Sequence, residues 1–296
     1  MFDLIGQFYS LVEERHVDWV AKGFLFRDLT VYTINHDTKL LGRIFEMLTE
    51  PLLQEIADRN GYTLETPEQQ NYYPDFILTP MGESSHRIAV DIKTTYRTYR
   101  ANGTVSPYKF TLGSYASFLR NGTKNIAYEY DQYDSHYVIG FVYDRGDDAQ
   151  ASRPYALEEI ESAPEPYGNV ELFIQEKYRI SGFGTGSGNT ENIGTISSPD
   201  ITNFRDGNGP FSQMGNEVFE LYWRNYPRYK ATEKLYTGFE SFARWVAKSD
   251  SVDTELKARV AAYEKTIHSQ IKRTAPRAGA IRIIKTCSFD HMARDC

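Results

Sequence analysis

Two carboxylates and an amine stand in an order suited to metal-dependent cleavage of a phosphodiester. Asp75 follows Pro74 directly, and Asp91 and Lys93 follow further along the chain, separated from each other by a single residue. Carboxylate oxygens suit Mg²⁺, which keeps several of its waters and is bound by one or two protein carboxylates together with substrate phosphate. A nearby lysine can stabilise negative charge on that phosphate. The three residues indicate a nuclease site, although on two half-exposed strands they would be ordinary surface charges.

Two short strands are expected to position these groups. Arg87–Thr95 alternates in such a way that Asp91 and Lys93 share one face of a strand while three aliphatic residues share the other. Phe76–Thr79 is also strand-like, and a turn-rich segment separates it from the second strand. The simplest pairing is an antiparallel hairpin, which would bring Asp75 near Asp91.

Composition and cysteine content limit the classes of protein that this chain can belong to. Of its 296 residues, 41% are hydrophobic and 25% are charged, as in an ordinary soluble globular protein. No apolar run approaches the roughly 20 residues needed to cross a membrane, and the N-terminus lacks a secretory signal pattern. Cys287 and Cys296 provide neither a disulfide framework nor zinc-ligand spacing. We therefore expect a cytoplasmic protein without a membrane partner.

The overall charge bears on nucleic-acid binding. A net charge of −7 is unlike the basic footprint of most proteins that bind nucleic acid. It argues against a loose, non-specific DNA coat. It is only a mild objection to a specific enzyme, because acidic segments can be segregated from a basic cleft.

Strand and helix patterns are mixed along the chain. They predict an α/β or α+β fold, with a domain over residues 1–248 and a C-terminal extension over 249–296. The extension is expected to contain a helix followed by a basic stretch. The predicted helices are Asp37–Arg59, Phe219–Trp223 and Phe239–Ala247, and the further predicted strands are Tyr137–Tyr143, Val170–Ile174 and Lys177–Ile180.

Two polar loops could contact a ligand. Pro67–Tyr73 is rich in amides and leads directly to Pro74, and Gly182–Thr190 alternates glycine with small residues. Glycine allows close backbone approach, and Asn or Thr can hydrogen-bond base edges or phosphates. The glycine-rich loop lacks the spacing of a P-loop or a dinucleotide site, so by its composition alone it could equally be a solvated loop.

These segments together resemble the EcoRV-like type II restriction endonucleases, which belong to the PD-(D/E)XK nucleases. The resemblance covers about residues 30 to 245 in the same order. It rests on the following short sequence segments: Ile44–Glu46, Gln69–Phe76, Asp91–Tyr96, Phe110–Gly113, Thr123–Ile126, Asp131–Tyr133, Gly186–Thr190 and Tyr222–Tyr226.

The resemblance implies a restriction-endonuclease fold, a mixed β-sheet core flanked by helices. It also implies a homodimer that holds duplex DNA in a U-shaped cleft and cuts both strands of a palindrome. Asp75 and Asp91 would bind Mg²⁺, for which Mn²⁺ could substitute, and Lys93 would act beside the attacked phosphate. Glu46 would be a further metal-binding acid, although its helix pattern alone predicts a solvated side chain. A protecting DNA methyltransferase is expected in the host.

The resemblance also assigns DNA contacts. The loop at Gly186–Thr190 would enter the major groove, with its backbone and Asn189 reading outer base pairs, and it favours GATATC with blunt central cleavage. Gln69, Gln70 and Asn71 belong to the segment that would contact the minor groove and nearby phosphates. The residues that would position the DNA through its phosphates or grooves are Thr94, Thr95, Ser117 and Lys124. The full loop consists of Gly186, Ser187, Gly188, Asn189 and Thr190.

The chain departs from the family pattern in places, and three alternatives stay open. Glu191 is an acid where the family has a neutral threonine, and residues 250–296 have no recognised counterpart. A DNA-binding protein without cleavage activity is one alternative, but nothing would oblige it to keep the two acids and Lys93. A structure-selective repair nuclease of the same fold is another, but it would have less use for a major-groove loop. The third is an unrelated α/β domain.

Overall fold

The computed structural model describes residues 2–83, 85–146, 153–188, 191–228 and 230–274. Its strands are β1 (Gly23–Leu25), β2 (Thr30–Thr33), β3 (Tyr62–Glu65), β4 (Phe76–Pro80), β5 (Arg87–Tyr96), β6 (Thr111–Ser114), β7 (Tyr133–Arg145), β8 (Pro154–Ala156), β9 (Tyr167–Glu176), β10 (Ser181–Thr185) and β11 (Asn192–Thr195). Its α-helices are α1 (Leu4–Arg15), α2 (Thr38–Asn60), α3 (Lys177–Ile180), α4 (Thr202–Arg205), α5 (Phe211–Met214), α6 (Asn216–Asn225), α7 (Phe239–Lys248) and α8 (Thr254–Thr274).

A five-stranded mixed sheet forms the centre, in the order β3-β4-β5-β7-β9. The β5–β7 pair is parallel and the other pairs are antiparallel. Two three-stranded sheets, β1-β2-β8 and β10-β11-β6, complete the architecture. The mixed sheet flanked by helices confirms the predicted fold class. No helix among the described residues is both long enough and apolar enough to span a bilayer.

Each face of the central sheet buries its own hydrophobic core. On one face the rings of Phe45 and Phe141 stack at 4.4 Å and join α2 to β7. On the other face Phe110 and Phe173 meet edge to face at 5.3 Å, in a cluster that also contains Trp223 of α6. Because β5 lies inside the sheet, its first six residues are buried, Asp91 among them, whereas the last four, from Lys93 to Tyr96, are partly exposed.

The longest helix on the first face begins and ends where the sequence predicts. The Asp37 carboxylate accepts hydrogen bonds from the backbone N–H groups of Lys39 and Leu40, which caps α2 at its first turn. Gly61 ends the helix with φ of 72°, a conformation that costs glycine little. The predictions for the strands around residues 77, 91, 140 and 172 and for the helices around residues 221 and 243 are also confirmed.

One predicted strand is wrong. Residues Lys177–Ile180 form the short helix α3, which separates β9 from β10. Lys177 and Ile180 are both buried, and the spacing of three residues puts them on the same side of a helical turn. A strand would instead place these two residues on opposite faces.

The predicted C-terminal extension contains the expected helix, α8. This helix contacts α5, α6 and α7, and Val260 on it is buried in the same core cluster as Trp223. The basic stretch from residue 272 to residue 277 lies partly outside the described residues. The division of the chain at residue 248 stays a prediction.

Candidate active site

The β4–β5 hairpin brings Asp75 and Asp91 together. The antiparallel register pairs Phe76 with Val90, so that Asp75, one residue before β4, lies opposite Asp91. The Asp75 Oδ2 atom accepts a hydrogen bond from the backbone N–H of Ile92 at 2.6 Å. The sequence prediction of an antiparallel hairpin is confirmed.

The Lys93 ammonium lies between the two carboxylates. Its Nζ atom is 2.7 Å from Asp91 Oδ1 and 3.8 Å from Asp75 Oδ2, and it also donates to the Ile92 carbonyl at 3.0 Å. Burial alone would lower the pKa of Lys93, but the carboxylates of Asp91 and Asp75 outweigh burial and raise it. Lys93 is therefore a cation at neutral pH, held at a fixed place next to both acids.

Asp75 has a raised pKa, chiefly because its carboxyl group is removed from water. Burial is the largest cause that raises the pKa of Asp75; the charges of Asp91 and Glu46 add to it, the Lys93 ammonium opposes it, and the net result is a pKa of about 7. A carboxyl group with this pKa binds a proton readily when no other cation is present. A divalent cation at the same place would relieve the same repulsion.

Asp91 provides a free acceptor for such a cation. Its side chain is buried, and Oδ2 has no hydrogen-bond partner among the described residues, although Oδ1 is paired with Lys93. An unpaired buried carboxylate oxygen is costly unless it gains a partner. Asp75 and Asp91 therefore fit a hard divalent cation such as Mg²⁺, for which one or two protein carboxylates suffice.

Glu46 reaches the same region from α2. It lines a cavity of about 560 Å³ together with Asp75, Gln69 and Gln70, and its Oε2 atom is 2.6 Å from the Arg43 guanidinium. Within the described ranges, no three His, Cys, Asp or Glu side chains are grouped closely enough to hold a metal ion by themselves. The structure thus places Glu46 near the two acids, and its role as a metal ligand stays a prediction.

The predicted DNA-binding residues fall into two groups. Gln69, Gln70 and Asn71 form an exposed turn beside the cavity, and Thr94 lies close to Gly42 on the cavity wall. The second group lies outside this cavity. It consists of Ser117, which is buried and donates to the Ser114 carbonyl, the exposed Lys124, and the segment Gly186–Gly188 between β10 and β11. Thr95 follows Thr94 on β5 and is half-buried, whereas Asn189 and Thr190 lie outside the described residues.

Sequence reasoning missed a buried lysine close to this site. The Lys177 Nζ atom lies 3.8 Å from the centre of the Tyr73 ring and has no hydrogen-bond partner among the described residues. Burial lowers the pKa of Lys177 to about 7, and the Asp91 carboxylate partly opposes this effect. Nothing in the local sequence marks Lys177, because its burial arises from the packing of α3 against residues distant in the chain.

Replacing Asp75 with Asn should stabilise the metal-free protein at high pH. The folded-state pKa of about 7 exceeds the ordinary carboxyl value, so the folded protein binds a proton that the unfolded chain releases. Wild-type stability should fall relative to Asp75→Asn between about pH 4 and pH 7, by roughly 1–3 kcal/mol. Urea unfolding of both proteins in a chelator, at pH 4 and pH 8, measures this difference. A difference that is the same at both values of pH would contradict a raised pKa of Asp75 in the folded protein.

Known proteins similar to this chain were found by sequence and by structure. The family model for the restriction endonuclease EcoRV matches residues 15–247. The type II restriction enzyme EcoRV of Escherichia coli is 41% identical over 249 residues, which cover 82% of this chain and 96% of that enzyme. Among solved structures, the NlaIV restriction endonuclease aligns over 92% of this chain and 89% of its own chain, with 13% identity and a TM-score of 0.38.

The match covers the β4–β5 hairpin, α2 and every predicted site residue. Nucleases of this kind generally use a divalent metal ion, which agrees with the paired carboxylates of Asp75 and Asp91. The chain therefore belongs to the EcoRV family of type II restriction endonucleases, hydrolases that cut DNA at specific sites.

Proposed function

We propose that this enzyme is a Mg²⁺-dependent endonuclease that cuts double-stranded DNA at GATATC and leaves blunt ends. The observation that carries the catalytic part is the position of the Lys93 ammonium between two carboxylates, one of which has an unpaired buried oxygen. The target sequence is supported by the resemblance of Gly186–Thr190 to the family's recognition loop.

Each residue of the site has a distinct role in this proposal. Asp75 and Asp91 hold the metal ion, and Glu46 adds negative charge from α2. Bound Mg²⁺, or Mn²⁺ in its place, stabilises charge on the phosphate and makes a water molecule more acidic. Lys93 remains protonated and stabilises the negative charge that develops on the phosphate as the bond breaks.

Sequence specificity comes from a separate set of residues. The segment from Gly186 to Thr190 reads base pairs from the major groove, and Gln69, Gln70 and Asn71 contact the minor groove and adjacent phosphates. Thr94, Thr95, Ser117 and Lys124 position the DNA. The cost of bending the central TA step adds specificity at base pairs that no side chain contacts.

The acid at Glu191 is compatible with this proposal. Its Oε1 atom lies 3.6 Å from the Arg228 guanidinium, so its charge is partly neutralised within the protein. The backbone carbonyl of Glu191 also accepts a hydrogen bond from Tyr115 N–H at 3.0 Å, which fixes the end of the recognition loop. Glu191 therefore need not repel the DNA backbone as an isolated acid would.

A homodimer would provide one active site for each DNA strand. Among the described residues, several large apolar side chains are exposed on β1, on β2, on the turn that joins them and just after β8, and together they are called the apolar patch: Phe24, Leu25, Phe26, Leu29, Tyr32 and Leu157. A concentration of exposed apolar side chains is typical of a surface that binds a partner, and two copies related by a two-fold axis can cover it mutually. We assign this patch to the dimer interface, and we expect a cytoplasmic enzyme whose host contains a protecting methyltransferase.

Digestion of a plasmid of known sequence tests the proposal. With Mg²⁺ we expect discrete fragments whose blunt ends map to the centre of GATATC, and no fragments in a chelator. Adenine methylation of the site should block cleavage. Discrete fragments that end at another palindrome would reject the proposed target but keep the enzyme. Preferential cleavage of branched DNA would instead support a structure-selective nuclease.

A further inference from the structure

The helix α8 lies beyond residue 247, where the match to the EcoRV family model ends. It is nevertheless built into the main hydrophobic core. Val260 on α8 is 2% exposed, and Val252 just before the helix is also buried in the cluster that contains Trp223 and Phe211. A helix that buries side chains in this way contributes to the position of the elements it contacts.

One ring on α8 reaches the strand that leads to the recognition loop. The Tyr263 ring lies 5.1 Å from the Phe239 ring, at an interplanar angle of 89°, and 6.3 Å from the Phe183 ring. Phe183 and Phe239 are in turn 5.0 Å apart. Phe183 belongs to β10, which ends immediately before Gly186. Through Tyr263, the α8 helix therefore adds a ring to the aromatic cluster that surrounds the Phe183 side chain of β10.

A second connection runs through α6. Arg259 on α8 donates to Glu217 of α6 at 2.9 Å and to Glu255 of its own helix at 2.5 Å. Tyr222, one and a half turns further along α6, donates its hydroxyl hydrogen bond to the Phe183 carbonyl at 2.7 Å. The position of α6 against α8 thus affects both the side chain and the backbone of Phe183.

Within the described residues β10 pairs with β11 alone, in the sheet order β10-β11-β6, and its register is irregular between Ser181 and Thr185. Its two ends are also held by side chains, since Trp223 Nε1 donates to Ser181 Oγ at 3.0 Å and Lys109 Nζ donates to the Thr185 carbonyl at 3.2 Å. Gly182 and Gly184 flank Phe183, and glycine retains the greatest backbone freedom. The Phe183 ring therefore anchors the middle of this strand. It packs against Phe211, Tyr222 and Phe239, and its surroundings also include Tyr263, a residue outside the family match.

We propose that α8 is a positioning element for the recognition loop, in which Tyr263 holds β10 through Phe183 and thereby sharpens discrimination between DNA sequences. This inference rests on the proposed role of Gly186–Thr190 in reading base pairs. It assigns a function to part of the C-terminal extension. It predicts that weakening the Tyr263 contact loosens β10 selectively and leaves the β4–β5 hairpin unchanged.

The test compares Tyr263→Ala with two control variants. Tyr263→Phe keeps the aromatic ring, and Leu256→Ala shortens another apolar side chain of α8 while the Tyr263 ring stays in place. Amide hydrogen exchange of the free protein should be roughly tenfold faster at residues 182–188 in Tyr263→Ala but not in Tyr263→Phe or Leu256→Ala, with residues 88–92 unchanged. The ratio of cleavage rates at the cognate site and at sites with one altered base pair should fall roughly tenfold. Arg259→Gln, a change on the partly exposed side of α8, should shift both quantities in the same direction by a smaller factor.

Either measurement, the hydrogen exchange or the ratio of cleavage rates, can overturn the inference. Exchange at residues 182–188 that rises no more in Tyr263→Ala and Arg259→Gln than in Leu256→Ala would show that α8 does not hold β10. Gly188→Ala, which strains the loop itself because φ at residue 188 is 83°, separates the two remaining failures. If Gly188→Ala lowers discrimination and Tyr263→Ala does not, the inference is wrong. If neither does, the proposed reading role of the loop is wrong, and the inference fails with it.

Discussion

Asp91→Asn should reduce DNA cleavage by about 10³-fold or more. The substitution keeps the shape of a side chain that is almost completely buried, but it removes the charge that pairs with Lys93 at 2.7 Å. It also replaces the unpaired Oδ2 atom, which is the carboxylate oxygen best placed to bind a cation. Single-turnover cleavage measures the rate, and calorimetric titration with Ca²⁺ or Mn²⁺ should show a parallel loss of metal affinity.

Asp58→Asn is the matched control for this prediction. Asp58 is an exposed acid on α2 that accepts a hydrogen bond from Gln54, so its neutralisation changes the net charge by the same amount at a distance from the hairpin. This variant should cleave at the wild-type rate. Cleavage by Asp91→Asn within tenfold of the wild-type rate, with metal affinity retained, would remove Asp91 from the catalytic site.

The parts of the fold that depend on neighbours in sequence could be predicted. The alternation along β5 and the turn before it were sufficient to place Asp91 and Lys93 on one face and to pair β5 with β4. The cap at Asp37 and the glycine at residue 61 similarly defined both ends of α2. In each case the pattern and the stabilising contact lie within a few residues, so the local sequence carries the necessary information.

The position of Glu46 depends on a contact that no local pattern contains. The helical pattern of α2 predicts a solvated acid, yet the charge of Glu46 raises the pKa of Asp75. The two side chains line the same cavity because α2 passes along it next to the start of β4. Only the resemblance to the nuclease family indicated this association in advance.

The error at Lys177–Ile180 has the same origin. The apolar and polar residues of this segment suit a strand, but burial of both Lys177 and Ile180 against distant residues requires a helical turn. Lys177 can be buried because its ammonium lies over the Tyr73 ring and is attracted by the negative charge of Asp91. Tertiary packing overrode the local preference, and the sequence did not show which rings would surround this lysine.

Leu25→Asp should convert the proposed homodimer to a monomer and abolish double-strand cleavage. Leu25 is 60% exposed in the single chain and lies on β1, between the exposed Phe24 and Phe26 of the apolar patch. The single chain should tolerate the substitution because the side chain is already in water, whereas a buried unpaired carboxylate at a two-fold interface is costly, and symmetry introduces it twice. Sedimentation at several concentrations measures the change in mass, and plasmid cleavage measures the loss of linear product.

Met81→Asp is the appropriate comparison, because Met81 is 59% exposed on the turn between β4 and β5 and lies outside the patch. It introduces the same charge at an equally exposed apolar residue, and it should leave both the dimer and the cleavage of both strands intact. If Leu25→Asp remained a dimer with full activity, the patch could not be the interface between protomers. If both variants became monomers, the loss would reflect added charge in general and not this surface. Dissociation of Leu25→Asp alone would tie cleavage of both strands to the pairing of two copies through the β1–β2 hairpin.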